Sequence, residues 1–149
     1  AVSTLAELCD GEFHTVIGEI DEIDIPNAER LILCSGKVYF DLLERRRESG
    51  ANNIAILRLE QLYPFPEQEL AACIAPYKAL KEVVWCQEEP MNQGAWYSSQ
   101  HHVRHVMLEH DGSLYLAYAG RAGFAAPAGG YPAQHLEQQR DLVEDALFG

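Results

Sequence analysis

From residue 30 onward the chain alternates between two hydrophobic patterns. Leu31-Ile32-Leu33-Cys34 is a short unbroken apolar run, after which Ser35-Gly36 opens a stretch where Val38 and Leu42, and Tyr39 and Leu43, recur four residues apart. The first pattern predicts a strand and the second a helix. The pair recurs. Ile54-Ala55-Ile56-Leu57 with Leu59 predicts a second strand, and Pro64-Phe65-Pro66 turns the chain into a helix with Leu70, Cys73, Ile74 and Tyr77 on one face. Val83-Val84-Trp85-Cys86 predicts a third strand, leading through Glu88-Glu89-Pro90 into a helix from Gln93 to Leu108. There Trp96, Ser99, Val103, Val106 and Met107 form the inward stripe. Leu114 to Tyr118 predicts a fourth strand, a Gly/Ala/Pro loop runs from Gly120 to Pro132, and a last helix points Leu136, Val143, Ala146 and Leu147 inward.

Strands that read as continuous apolar runs, alternating with amphipathic helices, require cover on both faces. The expectation is a three-layer α/β/α domain with a mostly parallel sheet and right-handed crossovers. Upstream, Phe13-His14-Thr15-Val16-Ile17 is rich in β-branched residues and predicts a weak edge strand. Residues 1–12 show no period and read as a linker, beginning at Ala1 as a boundary inside a longer chain would. The 149 residues are within the usual size of a single domain, with no internal repeat.

Charge narrows the partners. The net charge is −12, from 23 acidic and 11 basic side chains, and this field repels nucleic acid and anionic membranes. Arg45-Arg46-Arg47 is flanked by Glu44 and Glu48 on a helical pattern and reads as a solvated helix face. Cys9, Cys34, Cys73 and Cys86 are widely spaced, which supports neither a zinc site nor a redox dithiol. Cys34 and Cys86 lie in strand-like runs and read as small core residues. No stretch approaches the roughly 18 apolar residues of a membrane helix. A reducing compartment is expected, the cytoplasm or an organelle matrix.

In an open α/β sheet, ligands bind outside the carboxyl ends of the strands. Four segments should converge there: Ser35-Gly36-Lys37, Glu60 to Tyr63, Gln87-Glu88-Glu89 and Gly120-Arg121. Ser35, Gly36, Lys37 and Arg121 are therefore candidates for holding a phosphate or carboxylate, although an N-cap and a surface lysine account for the same residues. Glu88 and Glu89 are adjacent on an extended segment and point opposite ways, so capping or pairing with Arg121 fits them better than shared acid–base work. His101 and His105 stand one helical turn apart, but no third metal ligand is visible near them, and no metal site is expected. Trp96, Tyr97 and His101 are candidates for packing or an interface.

Three longer runs carry a resemblance: Leu33-Cys34-Ser35-Gly36-Lys37-Val38-Tyr39, Arg58-Leu59-Glu60-Gln61-Leu62-Tyr63-Pro64-Phe65-Pro66, and Trp85-Cys86-Gln87-Glu88-Glu89-Pro90 continuing to Tyr97. Together they resemble the end of the 2-oxoglutarate dehydrogenases, the decarboxylating first components of their complex. The likeness extends from about Phe13 to the last helix, through Ala119-Gly120-Arg121 and Ala126-Pro127. It implies a transketolase carboxyl-terminal-like domain whose mixed five-stranded sheet has its first strand running against the others, supplied by Phe13 to Ile17. It implies a parent enzyme that decarboxylates 2-oxoglutarate on thiamine diphosphate and magnesium, works as a homodimer, and passes succinyl to a lipoyl-bearing acyltransferase. The cofactor is held by earlier domains in that family, so no catalytic residue and no cofactor is expected here. The expected roles are assembly and regulation, since in some relatives a nucleotide or acyl-CoA site lies in this part. The alternative is a free-standing nucleotide- or acyl-CoA-binding module of flavodoxin-like topology.

Overall fold

The computed structural model describes residues 15–121 and 132–149. Five strands and four helices alternate: β1 Val16–Ile17, β2 Arg30–Cys34, α1 Val38–Ser49, β3 Ile54–Leu59, α2 Glu67–Ile74, β4 Glu82–Pro90, α3 Trp96–His110, β5 Tyr115–Arg121 and α4 Pro132–Phe148. The sheet order is β1-β3-β2-β4-β5, with β1 antiparallel to β3 and every other pairing parallel. The expected mixed, mostly parallel sheet is what forms. Phe13 and His14 of the predicted first strand, and the putting of residues 1–12 to a linker, lie outside the described residues.

Two buried clusters fill the two faces. On one, Leu31, Leu33, Leu57, Val83 and Trp85 pack under α2 and α3 through Leu70, Ile74, Val103 and Val106. On the other, Ile32, Cys34, Ile56, Val84 and Cys86 pack under α1 and α4 through Val38, Leu42, Val143 and Ala146. Successive strand residues alternate between the clusters, which is why these strands read as unbroken apolar runs. Each fully buried Leu, Ile or Val contributes about 1.5–3 kcal/mol. Cys34 and Cys86 are core residues as expected. Burial pushes the Cys34 thiol up well above its ordinary range and Cys86 up to about 12.

The inward stripe of α3, Trp96, Ser99, Val103, Val106 and Met107, is the one the periodicity predicts. Several boundaries differ. α2 ends at Ile74, so Tyr77 is buried from the following turn and not from a helical face. α3 starts at Trp96 instead of Gln93 and continues to His110. β4 runs on through Gln87, Glu88 and Glu89, which the sequence places beyond the strand. Leu136, expected inside, is 59% exposed, and Leu142 is buried instead. α4 meets the sheet through its carboxyl-terminal half, where Arg30 donates to the carbonyls of Ala146 and Gly149 at 3.2 and 2.5 Å. A cation there satisfies final carbonyls that lack helical partners.

The basic run on α1 is not simply a solvated face, because Arg46 is only 2% exposed. Its guanidinium donates to both oxygens of Glu19 at 2.5 and 2.6 Å, to the Ile54 carbonyl at 2.9 Å and to Asp21 at 3.0 Å. Glu19 in turn accepts from the Ile56 N–H at 2.9 Å, on the side of β3 that the two-residue β1 leaves uncovered. A carboxylate thus finishes the ladder at an edge strand, and Arg46 neutralises it. Outside this pair, Arg47 also donates to Asp21. The guanidinium hydrogen bonds, that of Arg47 foremost, lower the Asp21 carboxyl from 3.8 to about 2.

Two outcomes follow from this network. Arg46→Ala leaves a buried carboxylate without its cation and costs about 3–5 kcal/mol in urea unfolding, whereas pairing Arg46→Met with Glu19→Gln, which removes the charge but keeps an acceptor for the Ile56 N–H, costs less. Asp21 has its folded pKa below its unfolded one, so its contribution of about 2 kcal/mol is complete above about pH 4 and fades as pH falls towards 2. Unfolding measured across that window should show a shallower acid slope in Asp21→Asn.

Candidate functional site

The helices after β2 and β4, which are neighbours in the sheet, lie on opposite faces, α1 on one and α3 on the other. A crevice outside the carboxyl ends of these two strands is the position where open α/β sheets bind ligands. Register puts Cys34 beside both Arg58 and Cys86, so Ser35, Glu60 and Gln87 lie at one edge, where the pairing of β2 with its two neighbours ends. The sequence-predicted convergence of these segments is therefore real.

Ser35 is half-buried, Gly36 adopts φ +80°, and Lys37 is exposed just before α1. The left-handed turn at Gly36 lets the chain leave β2 and enter α1 within three residues. No side chain caps this helix, so the predicted N-cap role of Ser35 is not realised. Lys37 has no ion-pair partner among the described residues. Arg121 ends β5, two strands from β2, and its side chain lies outside the described residues.

The first turn of α1 also meets a cation that the sequence reasoning missed. Arg58, near the end of β3, lies over the rings of Tyr39 and Phe40 at 5.3 and 5.1 Å. Its Nε is 3.0 Å from Glu60 Oε1, an ion pair without hydrogen-bond geometry. Burial pushes the Tyr39 phenol up to about 12, keeping that ring neutral beneath the guanidinium. One charged residue in an otherwise apolar buried strand was the available signal.

On the β4 side, Gln87 organises the backbone. The β4–β5 register shifts between Gln87 and Pro90, leaving Glu88 and Glu89 as extra residues. Buried Gln87 donates to the carbonyls of Glu89 and Pro90 at 3.1 and 3.0 Å and accepts from the Trp85 indole at 2.9 Å. A Cβ at Gly94 would come within 2.5 Å of Gln87 Oε1, so the Pro90–Gly94 turn closes over Gln87 only because residue 94 has no side chain. Glu88 accepts from Gln139 of α4 at 2.9 Å, and the same amide donates to Asp41 of α1 at 2.8 Å.

The histidines group differently from the sequence expectation. His102 and His105, not His101 and His105, converge through their Nδ1 atoms on Glu67 of α2, at 2.5 and 2.6 Å. His102 also stacks on Phe65, with centroids 5.0 Å apart. The hydrogen bonds from His102 and His105 lower the Glu67 carboxyl, and the Glu67 bond raises His105. The cluster fastens α2 to α3. Among the described residues no group of three or more His, Cys, Asp or Glu is placed to hold a metal. Trp96, a candidate for packing or an interface, is buried against Trp85 and Tyr118, while Tyr97 and His101 are exposed.

A five-stranded mixed sheet with helices on both faces is the architecture of a transketolase carboxyl-terminal-like domain. A solved split-gene transketolase, described as an inactive β4 tetramer, superposes with a TM-score of 0.56 over 80% of this chain and 38% of its own, at 17% identity. The family described as 2-oxoglutarate dehydrogenase C-terminal matches residues 2–147, and the chain belongs to it. It is 60% identical to the 2-oxoglutarate dehydrogenase E1 component of Azotobacter vinelandii over 99% of its length, and 53% identical to that of Haemophilus influenzae. It spans only 16% and 15% of those relatives. A free-standing flavodoxin-like module is not favoured by these relatives.

Gln87→Leu removes the hydrogen bonds to Trp85, Glu89 and Pro90 and leaves the Trp85 indole N–H without an acceptor. It should cost about 2–3 kcal/mol in thermal or urea unfolding, with loss of protection at the Pro90–Gly94 turn in hydrogen exchange.

Proposed function

We propose that the protein containing this domain is a thiamine-diphosphate-dependent, succinyl-transferring 2-oxoglutarate dehydrogenase, acting in the tricarboxylic acid cycle. In this reading it is a homodimer in the bacterial cytoplasm or a mitochondrial matrix, and hands succinyl to a lipoyl succinyltransferase. The observation that carries the reading is 60% identity to an E1 component across nearly the whole chain. The relatives cited are bacterial, and no helix among the described residues is long and apolar enough to cross a membrane.

The domain itself serves assembly and regulation. Its carboxylates do not fit a magnesium–diphosphate centre: at the strand ends Glu60 faces Arg58, and Glu88 accepts from Gln139. Thiamine diphosphate and magnesium belong, in this reading, to the preceding part of the polypeptide. The carboxyl edge is the regulatory surface, where Lys37 and Arg58, beside Ser35 and Gly36 and with Arg121 further along the edge, hold the phosphate of a nucleotide or acyl-CoA. A fixed planar guanidinium and a mobile ammonium are a suitable pair for that anion.

The isolated chain should show no turnover of 2-oxoglutarate with thiamine diphosphate and magnesium present, and measurable turnover overturns the non-catalytic reading. In calorimetric titrations of the full-length protein with AMP and with acetyl-CoA, Lys37→Ala and Arg58→Ala should each weaken binding about tenfold, the loss of roughly one charge-assisted hydrogen bond. Unchanged affinities remove these residues from the regulatory role.

A further inference from the structure

Where α2 meets α3, one imidazole lies between two carboxylates. His105 places Nδ1 2.6 Å from Glu67 of α2 and Nε2 3.5 Å from Glu109 of its own helix. His102 closes on the other oxygen of Glu67 at 2.5 Å, and its ring lies parallel to that of Phe65, 5.0 Å away. We propose that Glu67, His102 and His105 form a proton-operated latch, closed while His105 is an imidazolium and loosened when it loses its proton, which sets how firmly α2 and residues 61–66 before it are held. The latch acts whether or not the strand-end edge holds an effector.

The requirement for the proton follows from the number of N–H groups. An imidazolium donates from both nitrogens, so protonated His105 serves Glu67 and Glu109 together. A neutral ring has one N–H and turns a lone pair toward one of the two carboxylates. With both imidazoles charged, the two cations balance the two carboxylates, and with both neutral the two negative charges stand alone. The surrounding groups supply no substitute cation. Arg104 of α3 donates to Gln100, and Glu69, the other carboxylate of α2, lies about 200° round the helix from Glu67. His101 is exposed, with its ring centre 4.0 Å from that of His102, so a cation there opposes one on His102, whereas His105 has a carboxylate on each nitrogen. The other elements against α2 face it with uncharged side chains, Phe65 from the preceding turn and Val16 and Ile17 from β1.

Phe65 carries the effect to the chain before α2. Residues 61–66 have ties of their own at the strand end, where the Gln61 N–H donates to the Thr15 carbonyl at 3.3 Å and its side chain to the Pro64 carbonyl at 2.9 Å. Leu62 and Phe65 are only partly buried against the core, and Tyr63 is 94% exposed. Freeing the amino end of α2 therefore loosens the chain that follows Arg58 and Glu60. The direction with pH is fixed by the pairing. The Glu67 bond and charge raise His105 above its ordinary range, and the hydrogen bonds from His102 and His105 lower Glu67, which stays ionised throughout. The contribution of His105 is complete below about pH 6.5, the ordinary imidazole value, and is lost as pH rises through the raised one.

Hydrogen exchange of the full-length protein, expressed as protection relative to the intrinsic rate at each pH, tests the latch. From about pH 6 to about pH 8.5, protection of residues 61–74 should fall about two- to fivefold, the size expected for partly exposed ion pairs, while β2 and β4 hold theirs. Glu67→Gln should abolish the fall, because the carboxamide no longer distinguishes the charged ring from the neutral one. His105→Lys stays cationic across the window and should keep most of its protection at the higher pH. Circular dichroism checks that both surface variants stay folded. Constant protection in the unsubstituted protein, an equal fall in β2 and β4, or an undiminished fall in either variant overturns the proposal.

Discussion

A parallel sheet has no face that it can leave to water, and this constraint organises the domain. β2, β3 and β4 carry apolar side chains on both sides, so helices must cover both, and the chain meets that need by winding outward in two directions from the β2–β4 pair. The same winding sends α1 and α3 to opposite faces beyond the carboxyl ends of those strands, the position where open α/β sheets bind ligands. The candidate site is therefore a by-product of how the core is closed. Its residues sit where they do because β2 ends at Cys34 and β3 at Leu59.

The places where the ladder stops are finished with side chains instead of backbone. Glu19 accepts the Ile56 N–H beyond the end of β1, and Gln87 satisfies the carbonyls set free where β4 gains residues against β5. Both groups are buried, and both are themselves satisfied, Glu19 by Arg46 and Gln87 by the Trp85 indole. An unsatisfied polar group in either place would carry a desolvation cost with nothing to offset it. This gives a physical reason for the Trp85 to Gly94 run as a unit: the indole, the amide, the extra strand residues and the glycine each depend on another.

The helices divide the remaining tasks. α1 supplies the aromatic rings under Arg58 and the cation for Glu19, α2 meets α3 through Glu67, and α4 anchors its far end on Arg30 while Gln139 reaches across to β4. The charged side chains named here mostly hold elements together. Within the described residues, Lys37 at the strand-end edge is one cation without an ion-pair partner, which separates a candidate for binding from the structural charges around it.

Local pattern determined the existence and order of the strands and helices, the inward stripe of α3 and the burial of Cys34 and Cys86, because those depend on period and polarity within a few residues. It also brought Ser35, Gly36 and Lys37 to the strand-end edge, which follows from a parallel sheet alone. What it could not determine were pairings between residues far apart in the chain. Arg46 looked like any lysine or arginine on a helix surface until Glu19, 27 positions earlier, was placed against it. His102 took precedence over His101 only because Glu67 lies on that side of α3, and Leu136 was left outside because α4 turns its carboxyl-terminal half to the sheet. The periodicity of a segment states which faces differ, while tertiary packing alone decides which neighbour each face will meet, since that depends on the path of the whole chain.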